Sequence, residues 1–432
     1  MAKTQMMDSF KYNIPYPLAL TPAKTLLVLI ASIPFLYLFK LILRRSYERA
    51  TFDRRAKAYG AKPPQNLASL KDPVLGLDYT LATVKAGRDA RYLSFIWGRF
   101  LRLGSTYVTR RFLYDTVHTI DPENLKSMLA TDSGSFCMAE TRKAAMRPLF
   151  GHGIFIADGP HWAHSRALIR PSFTRTNMQP LLSMLERHFQ AMVECIPTDG
   201  STVDLQEIFS NFTMDASTEF LMGHSTHTLD PASCSDRETG FVADYLECCL
   251  EAVRKVQMGP IQFLFPFGSK KTRAARDRAW AYIDEFVSEA LDLRRMGKLD
   301  AEIDDAAEYN FLREVARNTD DPVMLRTQIL NILLASRDTT AGLLGNFFHL
   351  VSRDRRVFQK LKDEVAERLQ GELPTDVQIK DMVYLRWCIN ESKQTCHFFK
   401  FLSTLFSLEG RICISVPRLP LIGFLESILD PG

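Results

Sequence analysis

Two apolar runs dominate the pattern of this chain. The first extends from Thr25 to Phe39 without a charge and continues past Lys40 through Leu41, Ile42 and Leu43. As a helix, residues 25–43 would span about 28 Å, close to one bilayer core. Lys40 can snorkel to the interface. No small-residue cleavage site follows, so the run predicts a retained N-terminal transmembrane helix rather than a removed signal peptide. The alternative is a buried or interfacial helix containing Pro34. Arg44, Arg45, Arg49, Arg54, Arg55 and Lys57 then face only Glu48 and Asp53, a basic excess that places the body on the cytosolic side. The second run, Ile329 to Leu334, resumes at Ala341 and carries a polar island, Ala335-Ser-Arg-Asp-Thr-Thr340. A helix that is apolar all round buries on all sides. An acid and hydroxyls in its middle are costly unless paired or used. Asp321-Pro322 supplies an N-cap and first-turn proline, which predicts a helix to about Ser352, roughly 45 Å long.

Elsewhere the pattern is helical with one interruption. Ser105–Thr109 and Tyr114–Ile120 are rich in β-branched and aromatic residues and read as strands. Asp121-Pro122-Glu123 opens a helix. Residues 133–160 read as a loop with a helical piece, closed by the turn signal Asp158-Gly-Pro160. From His161 to about Leu369 the pattern is helical, with Glu364–Leu369 in a helix stopped by Gly371 and Pro374. Ile379 to Ser392 reads as one further helix. No repeat of solenoid period is visible. The fold class is therefore mainly α with a small β-sheet. Three segments are expected: an anchor, 1–45; a folded body, 46–392, in which Ala61-Lys-Pro-Pro-Gln65 reads as a stiff hinge after the anchor; and a tail, 393–432. Helical periodicity stops at Lys393, and the tail is expected to be aberrant, from a retained intron or shifted reading frame.

Charge and cysteine usage narrow the function. The net charge of +4, from 54 basic and 50 acidic residues, is too balanced for nucleic-acid binding. Eight cysteines are scattered without a CxxC pair, which fits a reducing compartment better than a disulfide framework. The glycosylation patterns at Asn211 and Asn390 would require a lumenal body.

Three places could carry chemistry. Thr339 follows Ala335 by four, so its hydroxyl can bond the Ala335 carbonyl and loosen the helix. Asp338 beside Thr339 offers an acid and a hydroxyl in series for proton delivery. Alternatively the island is a solvated kink, with Arg337 and Asp338 facing water or each other. Trp162 and Arg166, four apart on one helix face, can clamp a carboxylate. The spacing equally describes a half-buried Trp with a cation–π neighbour. His161 and His164 lack a third ligand, so zinc is not expected. Glu391 has no cation at i+3 or i+4 and reads as an exposed helix-end residue.

In this order and spacing the motifs resemble the cytochrome P450 family of haem-thiolate monooxygenases. Gly153-Ile-Phe-Ile-Ala-Asp-Gly-Pro-His-Trp162-Ala-His-Ser-Arg166 looks like the segment that clamps a haem propionate. Ala335-Ser-Arg-Asp-Thr339-Thr340 looks like the oxygen-activating helix. Tyr384-Leu-Arg-Trp-Cys-Ile-Asn-Glu391-Ser looks like the helix carrying Glu-x-x-Arg. The resemblance covers about residues 20–392 and is similar to fungal hydroxylases of alkane and fatty-acid chain ends. It implies a cytochrome P450-like fold, C-terminally truncated. It also implies haem as cofactor, an NADPH-dependent reductase as partner, a lipophilic substrate, and attachment to the endoplasmic reticulum membrane. By resemblance, Trp162, Arg166 and Ala335 would contact the haem. Asp338 and Thr339 would relay protons, and substrate would meet the loop around Phe136–Phe155.

The departures are specific. Ser336 stands where the family has Gly, and Gln394 where Glu-x-x-Arg has Arg. Phe406, Arg411 and Cys413 fall at the offsets of the haem-ligand loop, but Glu409 and Ser415 replace its two glycines, which a tight turn against porphyrin needs. Cys413 is the only candidate metal ligand. The chain as written is expected to lack activity. The rival expectation is a non-catalytic relative that binds a lipophile or a partner.

Overall fold

The long helix with the polar island forms as the pattern predicts. In the computed structural model it runs from Pro322 to Val351, with Asp321 accepting hydrogen bonds from the Val323 and Met324 amides and Ser352 as C-cap. The structure describes residues 22–60, 72, 76–89, 91–111, 114–174, 181–230, 232–264, 268–299 and 310–395. The hinge 61–65, Cys413 and all the tail beyond Thr395 lie outside the described residues.

The chain divides into two compact units, residues 1–64 and 65–432. The first holds α1 (Pro22–Ala58). Helix covers the window expected to be an anchor. However, no helix among the described residues is long and apolar enough to cross a membrane. Lys40 and Arg44 follow the exposed Phe35, Leu36 and Phe39. The side chains of residues 22–31, which carry the first part of the expected anchor, lie outside the described residues.

The second unit opens with α2 (Leu77–Arg88) and α3 (Tyr92–Leu103) packed beside a hairpin of β1 (Thr106–Arg111) and β2 (Tyr114–Thr119). The strands pair antiparallel with Val108 opposite Val117. Tyr107 is fully buried between Phe100 and a stacked His118, which fixes the face of the hairpin that turns inward. Then follow α4 (Pro122–Lys126), α5 (Glu140–Phe150), α6 (Gly159–Ile169), α7 (Leu181–Glu194), α8 (Leu205–Met222), α9 (Asp236–Met258), α10 (Lys270–Arg295) and α11 (Phe311–Ala316). The long helix is α12, followed by α13 (Arg355–Leu369), α14 (Asp376–Asp381) and α15 (Val383–Thr395). The expectation of mainly helix with a small sheet holds.

The main core centres on α12, whose Leu325, Ile329, Leu330 and Leu333 pack with residues of α8, α9, α10 and α11. Its buried polar side chains are used in tying segments together. Asn331, fully buried, donates to the Phe150 and Thr327 carbonyls at 2.8 Å each and accepts from the Phe155 amide at 3.2 Å. Gly153 lies so close that an added Cβ would sit 2.2 Å from Asn331 Nδ2. The loop after α5 is thereby held against the middle of α12.

One element departs from expectation. Ile379–Ser392 is two helices, not one, broken at the buried Met382 (φ −74°, ψ 78°). Thr375 and Gln378 form a capping box for α14. The new start, α15, is capped from a distance: the Glu364 carboxylate accepts from the Tyr384 and Leu385 amides at 2.8 Å each. A cap supplied by another helix leaves no local signal, which is why periodicity alone merged the two.

Candidate functional site

Helix α6 starts without a side-chain cap hydrogen bond from Asp158. Asp158 instead accepts from the Met138 amide and pairs with Lys143 at 3.0 Å. The Lys143 hydrogen bond holds the Asp158 carboxyl below the usual carboxylate range. Ser165, Leu168 and Ile169 face the core, and Ser165 Oγ accepts from Gln328 Nε2 of α12 at 3.2 Å. Trp162 is left 40% exposed, with the Arg166 guanidinium 5.3 Å from its ring centroid. Arg166 is exposed and has no carboxylate partner among the described residues. The cation–π reading is therefore observed, and it leaves a cation and an indole N–H facing outward from a helix bonded to α12.

On α12 the island divides in two. Thr339 Oγ1 donates to the Ala335 carbonyl at 2.6 Å, as its spacing predicts, yet the helix continues unbroken. Ser336 likewise donates to the Ile332 carbonyl at 3.0 Å. Arg337, only 8% exposed, donates to Asp338 Oδ1 at 2.5 Å. Of the two arrangements left open, Arg337 and Asp338 facing each other is the one that forms, and the pair is buried rather than solvated. Asp338 and Thr339 are thus not hydrogen-bonded in series; each side chain is bonded elsewhere.

Burial pushes the Asp338 carboxyl above its ordinary range, and Arg337 opposes this without cancelling it. A carboxyl raised on folding binds protons more tightly folded than unfolded, so its stability contribution is present at low pH and lost as pH rises through the folded value. Relative to wild type, an Asp338→Asn variant is expected to gain in urea-unfolding stability as pH rises above about 4, the ordinary carboxylate value. Parallel pH profiles of the two proteins would contradict the shift.

Sequence reasoning missed two neighbours. Tyr245 and Cys249, four apart on the inner face of α9, are buried and interact electrostatically with Arg337 and Asp338. Burial raises both groups well above their usual values. Their i, i+4 spacing was visible, but nothing in it pointed to α12.

No group of three or more metal-binding side chains occurs among the described residues. Cys195, Cys248, Cys249 and Cys388 have their thiols pushed up by burial, opposite to the need of a thiolate ligand. The cation–indole pair of α6 and the small, half-buried Ala335 and Thr339 of α12 fit the acidic edge and one face of a porphyrin. Of the other described cysteines, Cys137 is exposed in the segment before α5 and Cys234 Sγ donates to the Thr226 carbonyl at 3.4 Å. Glu391 is exposed, and the side chain of Gln394 lies outside the described residues.

The cytochrome P450 family model matches residues 84–392, so the chain belongs to the cytochrome P450 family. It is 36% identical over 370 residues to cytochrome P450 monooxygenase himC of Aspergillus japonicus, covering 84% of this chain and 66% of that protein. To cytochrome P450 monooxygenase fsdH of Fusarium heterosporum it is 34% identical, covering 77% of this chain and 59% of the other. To cytochrome P450 52A5 of Candida maltosa it is 34% identical, covering 80% and 64%. The chain thus spans 59–66% of the lengths of these relatives. Haem is the cofactor the family implies.

Proposed function

We propose that this chain is the helical body of a membrane-anchored monooxygenase that hydroxylates lipophilic substrates, alkanes or fatty acids among them. A further part of the proposal is that residues 1–432 as written do not hold haem through a thiolate. The observation that carries the reading is the outward-facing Trp162–Arg166 pair on a helix bonded to α12 through Ser165 and Gln328. When bound, haem supplies the iron-centred chemistry that inserts an oxygen atom into a C–H bond, with electrons from an NADPH-dependent reductase. Trp162 and Arg166 would hold its propionate edge by N–H donation. Ala335 would leave space beside α12. Asp338, with its raised affinity for protons, would store one, and Thr339 would pass it on after exchanging its Ala335 bond. Phe136 and the segment to Phe155 would meet substrate.

A graft tests this. Residues 1–392 joined to the C-terminal segment of the Aspergillus japonicus relative are expected to bind haem and hydroxylate a fatty acid or alkane with NADPH and a reductase. Arg166→Leu in the graft should lower haem occupancy severalfold. A graft that folds but takes up no haem would refute the assignment.

The anchor belongs to the same proposal, and rests on the uncharged stretch Thr25–Phe39 within α1. It would place the body on the cytosolic face of the endoplasmic reticulum. Alkaline carbonate washing of membranes is expected to leave the chain in the pellet; release into the supernatant would rule out a spanning anchor.

A further inference from the structure

Exposed apolar side chains crowd the last described part of the chain. Leu373, Val377, Ile379, Val383 and Trp387 are all exposed, five large apolar residues within fifteen positions. Single scattered apolar residues need no explanation, whereas a group of them marks a docking surface. Two of the five share one face of α15: Val383 and Trp387 are four apart, and Trp387 is 61% exposed. The other side of α15 is committed. Tyr384, Leu385 and Cys388 pack against Val351, Phe358 and Leu361 of α12 and α13.

The sequence that follows supplies an occupant. Helical period stops at Lys393, but a new one starts five residues on, in Phe398-Phe-Lys-Phe-Leu-Ser-Thr-Leu-Phe-Ser-Leu408. At 3.6 residues per turn, every Phe and Leu of this segment falls on one half of the circumference. Lys400, Ser403, Thr404 and Ser407 fall on the other half. A helix of this pattern has one whole side to bury.

Its position along the chain says against what. Only Cys396 and His397 separate the segment from Thr395, the end of α15. Connections of two to five residues are those of antiparallel helix pairs. The lengths agree as well. Trp387 stands eight residues before the end of α15, about 12 Å along its axis, and residues 398–408 as a helix would cover about 15 Å.

We infer that residues 398–408 fold back as an amphipathic helix antiparallel to α15 and cover its Val383–Trp387 face, with Leu405 and Phe406 against Trp387. Closing this pair takes apolar surface of both partners out of water. So short a tether gives an effective concentration on the order of millimolar, which favours this occupant over a second chain. No residue of the proposed haem site takes part, so the two readings stand or fall separately.

The test is photocrosslinking in cells that express the full chain, with p-benzoylphenylalanine in place of Trp387. The chain is then purified under denaturing conditions, cut with trypsin and read by mass spectrometry. The main product expected is an intrachain crosslink from position 387 to the tryptic peptide 401–411. The double variant Leu405→Asp, Phe406→Asp should lower its yield at least tenfold. Ser403→Asp, Ser407→Asp, on the polar half, should alter it less than twofold. The same probe in place of Trp97, exposed on α3, should not capture this peptide. Equal capture from position 97 would overturn the inference, since it would mean unspecific collapse of the tail. A main product joining two chains would overturn it in favour of self-association, and one joining lipid in favour of a membrane contact. Absence of any crosslink from position 387 would overturn it outright.

Discussion

Asn331→Ala is expected to lower the unfolding free energy by about 2–5 kcal/mol, a large part of the 5–15 kcal/mol that a domain normally has in reserve. Asn331 is fully buried and bonds the Phe150 carbonyl and the Phe155 amide, on either side of the turn after α5. Alanine leaves both backbone groups without that partner, at about 1–3 kcal/mol each. Gly153→Ala attacks the same point from the other side, since its Cβ would meet Asn331 Nδ2 at 2.2 Å and Cγ at 2.4 Å. The two changes should be less than additive, because removing the Asn331 side chain clears the space the new Cβ needs. Urea unfolding of the two single variants and the double variant measures this. Strict additivity would show that the Gly153–Asn331 approach does not determine the position of the loop.

This clamp also shows how far the sequence could be read. The ends of α12 were legible because Asp321, Pro322 and Ser352 act locally, within one turn of the helix they bound. The hairpin was legible from its β-branched and aromatic runs. The Thr339 back-bond followed from a spacing of four. The role of Asn331 was not legible, because its partners lie 176 and 181 residues away. Glu364 capping α15 and Tyr245 lying beside Asp338 were hidden for the same reason: each depends on which helices meet. Within the candidate site, the residue types at 162, 166, 338 and 339 were identified from sequence. The Arg337–Asp338 pairing was one of two alternatives that only packing could separate. In a medium of low polarity a buried charge goes to the nearest opposite charge, and here that is the adjacent residue.

The largest expected effect concerns the haem itself. A thiolate ligand needs a cysteine that is accessible, deprotonated and held on a tight backbone turn. Burial, full for Cys248 and Cys249 and partial for Cys195 and Cys388, pushes these thiols above their ordinary range. Cys413, by its position in the sequence, has Glu409 and Ser415 where such a turn calls for glycine. On the proposed reading Trp162, Arg166, Ala335 and Thr339 would serve the distal face and the acidic edge, and the proximal side is what residues 1–432 are expected to lack. The measurement that tests this most directly is the absorption spectrum of the purified 432-residue chain, reduced, supplied with haem and exposed to carbon monoxide. No Soret band of the thiolate-ligated type and no NADPH-dependent hydroxylation with added reductase are expected. A thiolate-type band that disappears in Cys413→Ser would contradict it and make Cys413 the ligand.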